Sequence, residues 1–218
     1  MSEKKASLSY KKSAALVPGK NFPKLKLNVV EKNQMQLYSI DDFLSPTECE
    51  QIVALSQPRF EYSTTEGYLE DLGFRTSKTC HLYKLDNPFI KSIEDKIAKC
   101  MGIRLPYSED IQVQKYEIQE EYKAHRDYFN LTDVSKGGQR TWTFMVYLTE
   151  VAKGGGTKFV DLDVIISPKL GRAVIWNNLH INGEPNRSTV HQGLPVEEGT
   201  KIIITKWFRD RGVGRAWY

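Results

Sequence analysis

Two stretches of the chain carry a helical rhythm. Behind Ser45-Pro46-Thr47-Glu48, the apolar residues Cys49, Ile52, Val53 and Leu55 fall roughly on one face. Serine there can cap a helix, proline suits the first helical position, and glutamate three residues on closes a capping box. A helix is predicted over about 46–56. From Asn87-Pro88 to Gly102, residues Phe89, Ile90, Ile93, Ile97 and Met101 recur three and four apart. That spacing predicts a second, amphipathic helix stopped by the glycine, with Cys100 as a core thiol beside its apolar stripe.

After residue 106 the period shortens to two. Short runs rich in Val, Ile, Thr, Trp and Tyr predict strands near 111–117, 141–149, 157–160, 164–167, 172–176, 187–191 and 201–208. Within 141–149, Trp142, Phe144, Val146 and Leu148 point one way, and Thr143, Met145 and Tyr147 the other. Gly154-Gly155-Gly156, Pro168 and Gly171 punctuate the series. Many short strands with no long helix between them exclude a doubly wound α/β fold. They predict a mainly β domain, an antiparallel barrel or jelly roll, with the two helices packed on one sheet.

Charge changes the picture at one end only. The chain of 218 residues holds 31 Lys+Arg and 27 Asp+Glu, a net +4. Residues 1–30 contain seven lysines and one glutamate, +6, which leaves −2 for the other 188. Residues 1–30 therefore read as a basic, flexible arm and 31–218 as a single domain. An arm drawn to a polyanion is the alternative. The body's slight negative charge counts against a broad phosphate footprint, so a nucleic-acid partner is not expected.

No apolar run is long enough to span a bilayer, and Met-Ser-Glu-Lys-Lys has no apolar core behind it. Neither a membrane partner nor a secretory route is expected. Cys49, Cys80 and Cys100 are too few and too scattered for a disulfide framework or a zinc knuckle. The expected location is the cytoplasm.

Four histidines leave a short list of metal ligands. His125 and Asp127 are two apart, so on an extended segment they share a face. His191 can supply a third ligand. Two imidazoles and a carboxylate on one side of a metal leave the other side open, the facial arrangement of non-haem Fe(II) oxygenases. His-x-Asp alone arises by chance in many proteins. His81, after Cys80 in a strand-like run, and His180, in an Asn/Gly-rich loop, read as non-ligands. Lys201 follows His191 across the turn chemistry of 193–200, so the next strand can return antiparallel and carry the lysine into the same cavity. A buried ammonium needs an anion. A dicarboxylic co-substrate chelating iron at one end would supply it, and Tyr116 could share that carboxylate.

With these residues in view, the chain from about Tyr38 to Phe208 resembles the catalytic domain of the prolyl 4-hydroxylase family, within the Fe(II)- and 2-oxoglutarate-dependent dioxygenases. The resemblance runs through Arg75-Thr76-Ser77, Gln112-Val113, Tyr116, Tyr122 to Phe129, Gln139-Arg140, Tyr147-Leu148, the Gly154–Phe159 stretch, Gly171-Arg172-Ala173-Val174, and His191 through Trp207. It implies a distorted double-stranded β-helix of jelly-roll or cupin-like type with helices on its major sheet. It implies His125, Asp127 and His191 as iron ligands, and Lys201, Tyr116 and Thr157 at the distal carboxylate of 2-oxoglutarate. Tyr122, Arg140, Trp207 and Glu109 would lie near the substrate groove. Arg75 and Ser77 would fall in or beside a closing loop around 61–80.

The implied reaction is hydroxylation of a proline-containing peptide with O₂, giving succinate and CO₂, with ascorbate as reductant. The same chemistry on a free amino acid or other small molecule, and a non-catalytic module that kept the fold, stay open as alternatives. Two positions depart from the family. Gly156 stands where the family usually has glutamate before the threonine. Ile202 stands where tryptophan is common, which implies a smaller cavity wall.

Overall fold

A computed structural model of the chain describes residues 28–31, 33–63, 73–82, 86–129, 137–180 and 182–211. The predicted basic arm up to residue 27, and residues 64–72 of the predicted closing loop, lie outside them. In chain order the elements are β1 (Asn28–Glu31), β2 (Leu37–Ile40), α1 (Pro46–Ser56), β3 (Glu61–Tyr62), β4 (Lys78–His81), α2 (Pro88–Met101), β5 (Gln112–Tyr116), β6 (Tyr122–His125) and β7 (Arg140–Tyr147). They continue with β8 (Lys153–Gly154), β9 (Thr157–Phe159), β10 (Val164–Ile166), β11 (Ala173–Asn177), β12 (His191–Gly193), β13 (Val196–Glu198) and β14 (Lys201–Arg209).

Both helices form for the reasons legible in their sequences. Ser45 accepts from the Glu48 amide at 3.2 Å, and the Glu48 carboxylate accepts from the Ser45 amide at 2.7 Å, which completes the capping box. Asn87 caps α2 by accepting from the Phe89 amide at 2.8 Å. Gly102 ends it in the left-handed region, at φ 66°.

The strands make an eight-stranded sheet in the order β1-β2-β11-β7-β14-β5-β4-β3 and a four-stranded sheet in the order β10-β9-β12-β6. Within both sheets, neighbouring strands run antiparallel. This is the double-stranded β-helix, a major and a minor sheet face to face. β8 and β13 pair separately.

β7 shows how the layers are built. Trp142, Phe144 and Val146 pack with Ile52, Ile93 and Ile97 in the core between the helices and the major sheet. Met145 and Tyr147 point the opposite way, into a second core with Phe159, Val174 and Trp176 between the two sheets. Gly171 (φ 73°) leads into β11 where only glycine fits: a Cβ there would lie 2.1 Å from the Leu44 carbonyl oxygen. Among the described residues no helix is long and apolar enough to cross a membrane.

Two expectations need correction. The strand expected over 187–191 begins only at His191. Arg187–Thr189 form a 3-10 turn, because Asn186 accepts from the Ser188 amide at 3.0 Å and Thr189 Oγ1 donates back to the Asn186 carbonyl at 2.7 Å. Ile202 does not wall the cavity. Alternation along β14 turns it into the helix-side core with Ile204, and Lys201, Ile203, Thr205 and Trp207 line the cavity.

Cores packed this closely do not relax into a hole. Ile97→Ala is expected to cost about 3 kcal/mol, and Ser45→Ala about 1 kcal/mol through the lost cap. Urea unfolding checks both, with the circular dichroism of the folded state unchanged.

Candidate active site

β6 and β12 are neighbours in the minor sheet, and His191 stands directly across from His125 in their register. Asp127 follows β6 by two residues and is buried. The Nε2 of His125 lies 3.8 Å from Asp127 Oδ1, and that of His191 lies 3.9 Å from Asp127 Oδ2. These spacings are too long for hydrogen bonds and short enough for one ion to be shared. The three ligand atoms fall within 4.8 Å of one another.

The tautomers are fixed as well. Nδ1 of His125 faces the Lys123 carbonyl at 2.8 Å and Nδ1 of His191 faces the Thr189 carbonyl at 2.9 Å. A carbonyl only accepts, so both Nδ1 atoms carry the proton and both Nε2 lone pairs are turned to the shared point. Burial first, and then His191, push the His125 imidazole down to about 3, so it stays neutral. Burial opposes ionisation of Asp127, yet His191, His125 and Arg140 outweigh it and hold its carboxyl below the usual range. Thr143 Oγ1 donates to Asp127 Oδ2 at 2.6 Å, and Asn178 donates to Thr143 at 2.9 Å. Two imidazoles presenting Nε2 and one oriented carboxylate are a donor set that suits Fe(II).

The triad opens into a cavity of about 830 Å³. Lys201 is at one end, 1% exposed, opposite Tyr116 in the β14–β5 register. Its Nζ sits 5.0 Å from the Tyr116 ring centroid and 5.8 Å from that of Tyr147. Among the described residues no carboxylate pairs with it. Burial pulls its ammonium down to about 7. Thr157 joins this end of the cavity, its Oγ1 2.7 Å from the Tyr147 hydroxyl, which donates to the Ile166 carbonyl at 3.0 Å. A Cβ on Gly156 would meet Ile165 at 2.8 Å, so the missing acid is matched by a neighbour that fills its space.

The other predicted residues divide into those at the cavity surface and those behind it. Tyr122, Arg75, Arg140 and Trp207 line the cavity. Tyr122 stacks on His125 with ring centroids 3.5 Å apart, and the Arg75 guanidinium lies 4.9 Å from its ring. Arg140 stacks 3.8 Å from the Trp207 ring centroid. Glu109 is held behind, accepting two bonds from Arg140 at 2.7 Å and one from Arg209 at 2.8 Å. Burial opposes its charge, but the two arginines hold its carboxyl below the ordinary range. Ser77 is also behind the surface, accepting from Arg75 Nε at 3.1 Å.

Sequence reasoning missed Thr143, Asn178 and Tyr147 as supports of the site, and Gln139. The Gln139 amide clamps Phe129 by accepting from its N–H at 2.6 Å and donating to its carbonyl at 2.8 Å. The alternation of 141–149 placed Thr143 and Tyr147 on one face and was the signal available. It did not say that this face meets the ligands.

The family model for the 2OG-Fe(II) oxygenase superfamily matches residues 111–209. Human prolyl 4-hydroxylase subunit alpha-1 is 30% identical over 191 residues, which cover 84% of this chain and 36% of that protein. The chain thus matches only about a third of that relative's length. Prolyl 4-hydroxylase 1 of Arabidopsis thaliana is 34% identical over 194 residues, 79% of this chain and 68% of that protein. Among solved structures, the viral collagen prolyl hydroxylase of Paramecium Bursaria Chlorella virus-1, in its 2OG complex, superposes with a TM-score of 0.66. It is 28% identical and covers 79% of this chain and 95% of its own.

Asp127→Ala is expected to abolish Fe(II) binding with the fold kept. Thr143→Val, which frees the carboxylate to turn, is expected to weaken binding about 10- to 100-fold. Anaerobic Fe(II) titration alongside circular dichroism checks both.

Proposed function

Because the chain belongs to the prolyl 4-hydroxylase family of 2-oxoglutarate- and Fe(II)-dependent oxygenases, we propose that it hydroxylates peptidyl proline at the expense of 2-oxoglutarate and O₂. The observation that carries this reading is the buried, acid-free ammonium of Lys201 in the same cavity as the His125–Asp127–His191 cluster. Such a charge is stable only with an anion beside it. A dicarboxylate with one end at the metal places its other end there.

Bound Fe(II), with 2-oxoglutarate and O₂, supplies the oxidising chemistry that yields succinate, CO₂ and a hydroxylated C–H bond. The chain's own residues do the rest. His125, Asp127 and His191 would hold the ion from one side and leave its other side to the cavity. Lys201 neutralises the distal carboxylate, and the Tyr116 hydroxyl adds a directed hydrogen bond, with Thr157 at the same end of the cavity. Met145, Trp176 and Ile203 form an apolar wall that keeps water from the reacting atoms.

Tyr122 and Trp207 give the groove an aromatic lining for an extended proline-rich segment, and Arg140 is pre-positioned by Glu109 to donate to a peptide carbonyl. Ascorbate is the reductant in this reading. The free, buried thiols of Cys49, Cys80 and Cys100 suit a reducing compartment such as the cytoplasm.

Incubation with Fe(II), 2-oxoglutarate, ascorbate and a panel of proline-containing peptides is expected to add one oxygen atom to proline, read by mass spectrometry with succinate formed in step. Hydroxylation of free proline in preference to every peptide would overturn the peptide reading.

Lys201→Ala should raise KM for 2-oxoglutarate about 30-fold or more, the loss of a charge partner worth about 2 kcal/mol or more. The pH dependence has a definite sign. Lys201 sits near 7 in the free protein, and a bound carboxylate raises it. Binding therefore takes up a proton above pH 7, and affinity falls by up to about tenfold per pH unit as pH rises. Calorimetry in buffers of different ionisation enthalpy measures that uptake.

A further inference from the structure

The two oxygens of Asp127 face the two imidazoles almost equally. Oδ1 lies 3.8 Å from His125 Nε2, and Oδ2 lies 3.9 Å from His191 Nε2. Either oxygen is within reach of an ion shared by the three side chains, and so are both together. The spacing of the cluster therefore does not decide whether Asp127 grips that ion with one oxygen or with two. The decision comes from the side chains behind it.

Thr143 and Asn178 are both fully buried. The Thr143 hydroxyl has a polar neighbour on each side: Asp127 Oδ2 at 2.6 Å and Asn178 Nδ2 at 2.9 Å. A hydroxyl has one proton to give, a carboxylate only accepts, and an amide NH₂ only donates. The proton of Thr143 is therefore sent to Asp127 and its lone pair to Asn178. Without that NH₂ the hydroxyl is free to rotate away from the carboxylate. Asn178 is itself held rigidly, just past the end of β11. Its backbone N–H donates to the Thr141 carbonyl at 2.8 Å, and its carbonyl accepts from the Asn186 amide at 3.0 Å. Its side-chain oxygen is buried with no hydrogen-bond partner. Such an oxygen costs stability that an apolar residue of the same shape avoids. An asparagine here is a poor core residue, and the bond its NH₂ donates to Thr143 is what sets it apart from a leucine.

We propose that Asn178 is a positioning residue that, through Thr143, keeps Asp127 Oδ2 occupied and leaves Oδ1 alone to the ion. An octahedral ion gripped by His125, His191 and one carboxylate oxygen keeps three positions open, and one gripped by both oxygens keeps two. A chelating co-substrate takes two positions, so the third is the one O₂ needs. The assignment rests on the reading that the cluster holds Fe(II). It adds to that reading the side chain that sets how many positions of the ion stay free.

The test counts the waters on a bound ion. Mn(II) is the probe, because it stands in for Fe(II) and the relaxation of water protons scales with the number of waters it carries. The full chain is used in excess, without co-substrate, so that all the Mn(II) is bound. The wild type is expected to show the relaxation of an ion with three waters. Asn178→Leu, close in shape, and Asn178→Ala, smaller, are each expected to lower it to about two-thirds. Thr143→Ser keeps the hydroxyl and is expected to keep the wild-type value. Circular dichroism checks that each variant is folded. A residue that only supported the fold would change affinity or stability and leave the number of waters at saturation as it was.

Wild-type relaxation in a folded Asn178 variant overturns the role of Asn178 and leaves the metal reading standing. So does a wild type whose bound Mn(II) already carries only two waters. A wild type that takes up neither Mn(II) nor, under anaerobic conditions, Fe(II) overturns the metal reading and the role of Asn178 with it.

Discussion

The site depends on one strand register. His125 and His191 become a pair because β6 and β12 lie side by side with these two residues opposed. A slip of one residue would turn a whole strand's side chains to the other face of the minor sheet. The register is held from outside the site. His191 is also aligned with Phe159 on β9, and Phe159 is fully buried against Trp176. Apolar packing between the sheets thus sets the position of two imidazoles whose own contacts are weak. Asp127 comes after the strand ends, and a different device holds it: the hydroxyl of Thr143, on the opposite sheet, reaches across to its carboxylate.

Charge is handled by a similar division of labour. Glu109 is bracketed by Arg140 and Arg209 in a partly buried set beside the groove that leaves one positive charge in excess. Lys201 is buried more deeply and has no acid paired with it among the described residues. The contrast gives the cavity a direction. Its cationic end attracts a carboxylate, and its other walls present stacked rings and preset donors. In the proposed reading, the cationic end (Lys201 on β14, Tyr116 on β5) and the groove (Trp207 on β14, Arg140 on β7) draw different residues from strands of the same major sheet.

Much of this was legible in the sequence, and the limits of legibility have physical causes. The helices were readable because capping and period are local, so Ser45, Glu48, Asn87 and Gly102 each declare their role within a few residues. His125, Asp127, His191 and Lys201 could be picked out by residue type, by spacing and by the family resemblance. The strands β1 to β4 were harder, since two to four residues carry almost no period and their pairing is settled by distant partners. The turn at Arg187–Thr189 passed for strand because its apolar and hydroxyl residues suit either state, and a single side-chain bond from Asn186 decides. Ile202 was placed on the wrong side because the phase of alternation along β14 is set by which sheet face receives the helices. Thr143, Tyr147 and Gln139 support the site through contacts across the fold, which a linear reading cannot see.

β7 is buried on both faces, with Phe144 in the helix-side core, Tyr147 in the core between the sheets and Met145 in the wall of the chamber. The residues that stabilise the domain and those that shape its chemistry are thus alternate beads on one string. In a close-packed interior, a change of volume on one face moves the backbone that the other face shares. A substitution along this strand therefore acts on both properties at once. Along β4 and β5, Cys80 and Val113 pack in the helix-side core while the polar Thr79, His81, Gln112 and Gln114 line the cavity, so substitutions at those four positions remove no apolar core residue. Evolutionary change in what such a domain recognises is channelled to that edge, while the metal end stays as it is.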